Sequence, residues 1–381
     1  TPDAPAAPAL RIGPIEVASP VVLAPMAGVT NEAFRRLCRE FGAGLYVTEM
    51  VTTRALVERN ASTMRLIRHH PSEEIRSIQL YGVDPATVGD AVAMLVDEDR
   101  VDHLDLNFGC PVPKVTRKGG GGALPWKRDL LEAILRRTVE AGDAHGVPVT
   151  MKTRMGIDDD HLTYLDAGRI AADTGCAAIG LHGRTVVQAY SGEADWTAIA
   201  ALVEAVDIPV LGNGDIWEAG DALAMVAETG CAGVVIGRGC LGRPWLFADL
   251  AAAFTGREHR ELPTLGEVAV MVRRHAVLLA GLMGEERGLT DLRKHMAWYF
   301  KGFPVGGEVR HGLGLVSSLA DLDEQLAKLD QRVAFPAEIL GAPRGRQGSP
   351  RERVVVPQGW LDDRCGLDLD LAAAESDVSG G

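Results

Sequence analysis

The chain has 381 residues, 46% of them hydrophobic, with 44 glycines and a net charge of −13, so it has room for one α/β barrel of about 250 residues and a smaller domain. No apolar run approaches the ~20 residues that span a bilayer. The start, Thr1-Pro-Asp-Ala-Pro, lacks the basic-then-apolar pattern of an export signal, and the cysteines at 38, 110, 176, 231, 240 and 365 show no paired spacing, so a cytoplasmic protein without metal, membrane contact or disulfide framework is expected. The acidity also argues against a protein coated in nucleic acid, but it is uneven. Residues 1–250 carry 23 Lys+Arg against 33 Asp+Glu, whereas residues 251–345 carry 12 of each, and this neutral stretch repels phosphate least.

Short β-type runs recur at 21–24, 44–48, 76–80, 101–106, 147–152, 177–181, 209–211 and 232–236, with helical stretches between them. Eight alternating units predict parallel strands joined by right-handed crossovers, a (β/α)8 TIM barrel. Among the helices, Thr30 is expected to cap the stripe Ala33, Phe34, Leu37, Cys38 and Phe41, with Gly42 as its stop. Asp84-Pro85 opens another in cap-then-proline order. From about 265 to 340 helical periodicity continues without strands: Val268, Val272, His275 and Leu279 form one stripe, and Leu319, Leu322, Leu326 and Leu329 another. The predicted organisation is a barrel over 1–250, a C-terminal all-helical domain over 251–345, and a flexible tail over 346–381.

The chemistry-bearing residues fall where strands end. In order, these are Pro25, Met26 and Ala27; Gln79; Asn107 and Cys110; Lys152; His182 and Arg184; Asn213, Gly214 and Asp215; and Gly237 and Arg238. In a barrel all these ends lie on one face, the face that carries activity. Glycine-rich turns after the last two strands commonly cradle a phosphate. Lys152 and Gln79 would then bracket a flat heteroaromatic ring, and for a flavin a cation such as Lys152 stabilises the anionic reduced form. Cys110, in a loop rich in Gly and Pro, is the candidate catalytic residue. The plainer alternatives are a packed thiol for Cys110, a core histidine for His182, turn-shaping for Asn213 and Asp215, and a linker or hinged lid for Gly119 to Gly122.

The order of motifs from about Ile12 to Leu340 resembles the tRNA-dihydrouridine synthases, and most of all their bacterial B-type branch. It is carried by Leu23-Ala-Pro-Met-Ala-Gly-Val-Thr30, Thr48-Glu-Met50, Gln79-Leu-Tyr-Gly82, Asp105-Leu-Asn-Phe-Gly-Cys-Pro-Val-Pro-Lys-Val115, Met151-Lys152, Leu181-His-Gly-Arg-Thr185, Tyr190-Ser-Gly-Glu-Ala-Asp-Trp196, Asn213-Gly-Asp-Ile216, Gly237-Arg238 and Arg293-Lys-His-Met-Ala-Trp-Tyr-Phe-Lys-Gly302. The resemblance implies FMN-dependent reduction of the C5–C6 double bond of tRNA uridines, with NADPH as reductant. It assigns Pro25, Met26, Ala27, Gln79, Lys152 and His182 to the flavin ring, and Asn213, Gly214, Asp215, Gly237 and Arg238 to its phosphate side. It gives Asn107, Lys114 and Arg184 to the substrate nucleotide, and proton donation to Cys110. Arg293, Lys294, His295 and Lys301, with Trp298 and Tyr299, would grip tRNA; helix packing is the alternative for the two aromatics. A monomer is expected. Two rivals are a flavin-dependent oxidoreductase of a free pyrimidine, which needs no helical domain, and a tRNA-binding chaperone, which needs no Cys110. The family's leucine-rich stretch after the glycine run is replaced by Ala123-Leu-Pro-Trp-Lys-Arg-Asp129.

Overall fold

The computed structural model of the chain describes residues 9–365. A hairpin of β1 (Leu10–Ile12) and β2 (Ile15–Val17) comes first. The parallel strands follow: β3 (Val21–Leu23), β4 (Leu45–Tyr46), β5 (Val51–Thr52), β6 (Ser77–Tyr81), β7 (His103–Phe108), β8 (Val149–Arg154), β9 (Ala178–His182), β10 (Val210–Asn213) and β11 (Gly233–Ile236). They form one nine-stranded sheet in the order β4-β3-β11-β10-β9-β8-β7-β6-β5. Val47, just beyond β4, pairs in parallel with Ser77 of β6, so the sheet curls until its ends meet. All eight expected runs are present in this TIM barrel. The two-residue β5, which extends the upper edge of β6 through Thr52 and Tyr81, was not foreseen, and neither was the hairpin.

Burial on both faces explains the composition of the strands. Every residue of β6 and of β9 is buried. Leu10, Ile12 and Val17 of the hairpin pack with Val22, Leu45, Ala178 and Leu211 at the amino-terminal end of the barrel. The carboxyl ends of the strands are left as the open mouth. Helix Glu32–Glu40 differs in its cap from the expectation: Asn31 takes it, its side chain accepting from the Phe34 N–H. Thr30, one residue earlier, instead ties the preceding turn together, its hydroxyl donating to the Met26 carbonyl and accepting from the Met26 N–H. Asp84 and Pro85 open their helix as expected.

Beyond the barrel, helices Leu265–Met283, Glu285–Tyr299, Gly307–Leu313 and Leu319–Leu326 enclose an apolar core that includes Val268, Val272, Leu279, Leu289, Leu292 and Leu322. The two long helices approach backbone to backbone at Gly288, where a Cβ would lie 2.6 Å from the Leu279 carbonyl carbon. Arg344, 3% exposed, joins bundle to barrel by donating to the carbonyls of Leu241 (3.1 Å) and Trp298 (2.9 Å).

The expected flexible tail takes a different form. Residues 346–365 run as an extended strap around the barrel mouth, and residues 366–381 lie outside the described residues. The strap has no periodic apolar pattern, yet Trp360 is 3% exposed and packs in the main core. Among the described residues no helix is long and apolar enough to cross a membrane, and no group of three His, Cys, Asp or Glu could hold a metal ion.

Candidate active site

The strand register builds the site. Asn107 of β7 pairs with Lys152 of β8, Arg154 of β8 with His182 of β9, and His182 with Asn213 of β10. Side chains two apart on a strand share a face, so Asp105 and Asn107 both point inward, as do Thr150, Lys152 and Arg154. Above them opens a cavity of about 450 Å³, within the usual size for a cofactor or substrate site. All eleven residues assigned to cofactor binding line it, together with Asn107 and Cys110.

A hydrogen-bond chain leads from the barrel interior to the cysteine. Buried Asp105 accepts from Thr150 Oγ1 (2.6 Å) and Gln79 Nε2 (2.7 Å). Gln79 Oε1 accepts from Asn107 Nδ2 (2.9 Å), and Asn107 Oδ1 accepts from the N–H groups of Gly109 (3.1 Å) and Cys110 (2.9 Å). The turn that aims Cys110 is thus fixed from below. The Cys110 carbonyl accepts from the Gly122 N–H (3.1 Å), so the glycine run folds back on it. The run is packed against its surroundings and is no free linker: side chains at Gly120 and Gly122 would collide with Tyr81 and Val186, and Gly121 has a φ of +55°.

The electrostatics are one-sided. Lys152, Arg154 and Arg238 line the cavity and Arg184 lies just behind it, whereas the nearest carboxylates are Asp105 below and Asp215, which pairs with Arg184 (2.7 Å) and Arg238 (3.5 Å). Screening from solvent pushes the Lys152 ammonium down to about 7, with Arg154 adding to the fall. His182 is held well below its ordinary value by burial first and then by the surrounding cations, so it is neutral. Cys110 is half-buried and faces the cavity; burial raises its thiol, against smaller lowering from the Val112 N–H, Arg154 and Arg351. It is therefore protonated at neutral pH, an acid in waiting. The other four barrel cysteines are buried.

These features fit a flavin nucleotide. Excess positive charge suits a phosphate and an anionic ring. At the turn after β10, Gly214 has φ +131°, and a Cβ there would crowd Ala194 and His182, so the turn requires glycine and leaves its backbone bare toward the cavity. Arg238 stacks on Tyr190 (4.8 Å) and Trp217 (5.1 Å), which holds its guanidinium at the cavity edge.

Several assignments fall elsewhere. Arg184 is 1% exposed and lies behind the wall, its guanidinium donating to Ser191 O (3.0 Å), Gly192 O (2.6 Å) and Asp215; it shapes the site instead of facing a nucleotide. His295 is 0% exposed, in a ring cluster with His275 (4.7 Å) and Phe34 (5.9 Å). Arg293 donates to the carbonyls of Leu315 and Val316 (both 2.9 Å), and Lys301 to that of Pro343. Tyr299 is packing, its hydroxyl on His275 Nδ1 (3.1 Å). Lys114 is exposed on the short helix Pro113–Thr116 beside the cysteine. Lys294 is exposed at the seam between bundle and barrel, near Gly28 and pairing with Asp291 (2.6 Å). Trp298 reaches the cavity, as do Arg154, which closes a strand end expected on this face, and Met50, Tyr190, Trp217 and Arg346, to which no site role was assigned. Arg154 had a signal, since it lies two residues after Lys152 and so on the same face.

A family model described as dihydrouridine synthase matches residues 22–336. A probable tRNA-dihydrouridine synthase of Mycobacterium tuberculosis (strain CDC 1551 / Oshkosh) is 58% identical over 364 residues, 93% of each chain. The tRNA-dihydrouridine synthase B of Pseudomonas aeruginosa is 39% identical over 317 residues, covering 83% of this chain and 93% of that protein. Among solved structures, histamine dehydrogenase from Rhizobium sp. 4-9 shares the fold with a TM-score of 0.51 at 12% identity, over 86% of this chain and 65% of that one. The matched span and the identity over nearly the whole length agree with the geometry of the cavity, and the chain belongs to the dihydrouridine synthase family.

Proposed function

We propose that this enzyme binds FMN in the 450 Å³ cavity and reduces the C5–C6 double bond of uridines in tRNA, with NADPH as the electron source. The observation that carries this reading is the placing of one thiol, Cys110, on the rim of a cavity lined by Lys152, Arg154 and Arg238. Lys152 and Gln79 hold the ring edge; Gly214, Gly237 and Arg238 hold the phosphate end. Bound flavin supplies the hydride. The negative charge that then develops on the uracil at C5 and its neighbouring carbonyl needs a proton, and Cys110 Sγ gives it. Asn107 keeps the donor's loop in place through its two backbone hydrogen bonds. A uridine stacked inside folded tRNA cannot reach the mouth, so the nucleotide has to be extruded.

The test is mass-spectrometric mapping of dihydrouridine in tRNA after incubation with wild-type and Cys110→Ser protein, alongside free uracil. Loss of the general acid should slow tRNA-dependent flavin reoxidation about 10²–10⁴-fold, with flavin content and reduction by NADPH retained. Because burial raises the thiol, the part of the rate lost in Cys110→Ser should stay flat through neutral pH and fall only above the ordinary thiol range of about 8.5. Turnover of free uracil at a rate matching tRNA would overturn the assignment of substrate.

A further inference from the structure

The strap, residues 346–365, supplies no reacting group to this chemistry, yet three of its hydrogen bonds fall on the loop that carries Cys110. The Arg351 guanidinium donates to the Pro111 carbonyl, next in sequence to Cys110. Thr116 Oγ1 donates to the Val355 carbonyl (2.8 Å), and Trp360 Nε1 to the Ala123 carbonyl (3.0 Å). The indole fills the space left by Gly119, φ +77°, where any side chain would strike its ring. On either side the strap is tied to the barrel: Arg238 donates to Arg346 O (2.9 Å), the Arg351 N–H to Val187 O (3.0 Å), and the Arg128 N–H to Arg364 O (2.8 Å).

The loop it grips is held within itself mainly by its own backbone, as in the hydrogen bonds from Gly120 N–H to Val115 O (3.3 Å) and from Gly122 N–H to Cys110 O (3.1 Å). Residues 110–126 contain a four-residue helix whose N-cap, Val112, gives no side-chain hydrogen bond, then the glycine run leading into a 3-10 turn over Gly121–Trp126. From below, Asn107 fixes only its first residues. The chemistry needs the Cys110 thiol at a set distance from the substrate ring, and a misplacement of about 1 Å can cost about 10²-fold.

We propose that the strap is a brace for the Cys110 loop, with Arg351 and Trp360 as positioning residues that hold the proton donor in register. The inference rests on the reading of Cys110 as that donor. It makes the carboxyl-terminal extension part of the catalytic apparatus without giving it contact with the reacting atoms.

The test compares the full chain with a stop after Cys365, a stop after Gln347, Arg351→Ala and Trp360→Ala. Alkylation of Cys110 by N-ethylmaleimide, mapped by mass spectrometry, reports the loop whatever the enzyme's substrate. Cys38, Cys176, Cys231 and Cys240 are buried and act as reporters of unfolding. Removal of the strap should speed Cys110 labelling about tenfold or more, with the buried thiols unlabelled and the stop after Cys365 matching the full chain. In dithionite-reduced holoenzyme, reoxidation by saturating unmodified tRNA should fall about tenfold or more, while half-saturation moves less than about threefold. Unchanged labelling in both the shorter chain and Arg351→Ala overturns the brace. Faster reoxidation would make the strap a cover instead, and labelling of buried thiols would make it part of the barrel's stability. Faster labelling with unchanged reoxidation would leave the strap real and count against Cys110 as the donor.

Discussion

An ammonium group inside a barrel must be paired, neutralised or reserved for a ligand. Lys152 has Asp105 below it, but burial and Arg154 outweigh that carboxylate and bring the amine down to about 7. With a folded value below the ordinary 10.5, the unfolded chain binds more protons between those two limits, so this residue makes stability rise with pH across them. Its burden is full below about 7 and fades toward 10.5. Lys152→Met should therefore stabilise the flavin-free protein at pH 7, by a few kcal/mol at most, and flatten that slope, while lowering the flavin retained per chain. Thermal unfolding at pH 7 and pH 10, with flavin absorbance, checks both. A flavin-free variant less stable than wild type would show that the amine is already satisfied within the protein.

The elements differ in how plainly the sequence announced them. Most of the eight barrel strands are apolar runs closed by Gly, Pro or Asn, and topology alone brings their ends to one face, so most of the cavity residues were legible before any coordinates. β5 has two residues and is defined by its pairing with Leu80 and Tyr81 of β6. Whether Arg184 faces the cavity or lies behind its wall depends on Asp215, 31 positions away, and no local pattern encodes that. The strap makes its contacts one residue at a time, without a period to detect. The glycine run was visible as a signal, but its close packing against Tyr81, Val186 and Trp360 was not. Gly122→Ala should cost about 1–3 kcal/mol by overpacking against Val186 and displace Cys110, whose carbonyl its N–H holds. Val186→Ala removes the colliding methyl and should restore part of both stability and tRNA reduction, a coupling readable in a double-mutant cycle. Strict additivity of the two would mean that the loop does not feel this contact.

At the scale of the whole molecule, a protein of net charge −13 cannot hold a polyanion by general attraction, so tRNA has to be drawn to a local concentration of cations. The mouth provides one: Arg154, Arg238 and Arg346 line the cavity, with exposed Lys114 on one side and exposed Lys294 on the bundle side. Arg293, one residue from Lys294, is instead occupied with carbonyls of its own bundle. The pair therefore separates two roles that look alike in sequence. Lys294→Gln should weaken tRNA binding and reduce the slope of log affinity against log salt by about 1, leaving flavin content near wild type and costing stability only the exposed pair with Asp291, within about 1 kcal/mol. Arg293→Ala should lower the stability of the bundle by about 0.5–1.5 kcal/mol, through the loss of its part-buried hydrogen bond to the Val316 carbonyl, with the salt slope unchanged. Fluorescence binding of labelled tRNA at several salt concentrations, run beside thermal unfolding, distinguishes them. If Arg293 moves the slope and Lys294 does not, the tRNA approaches over the outer face of the bundle, away from the seam.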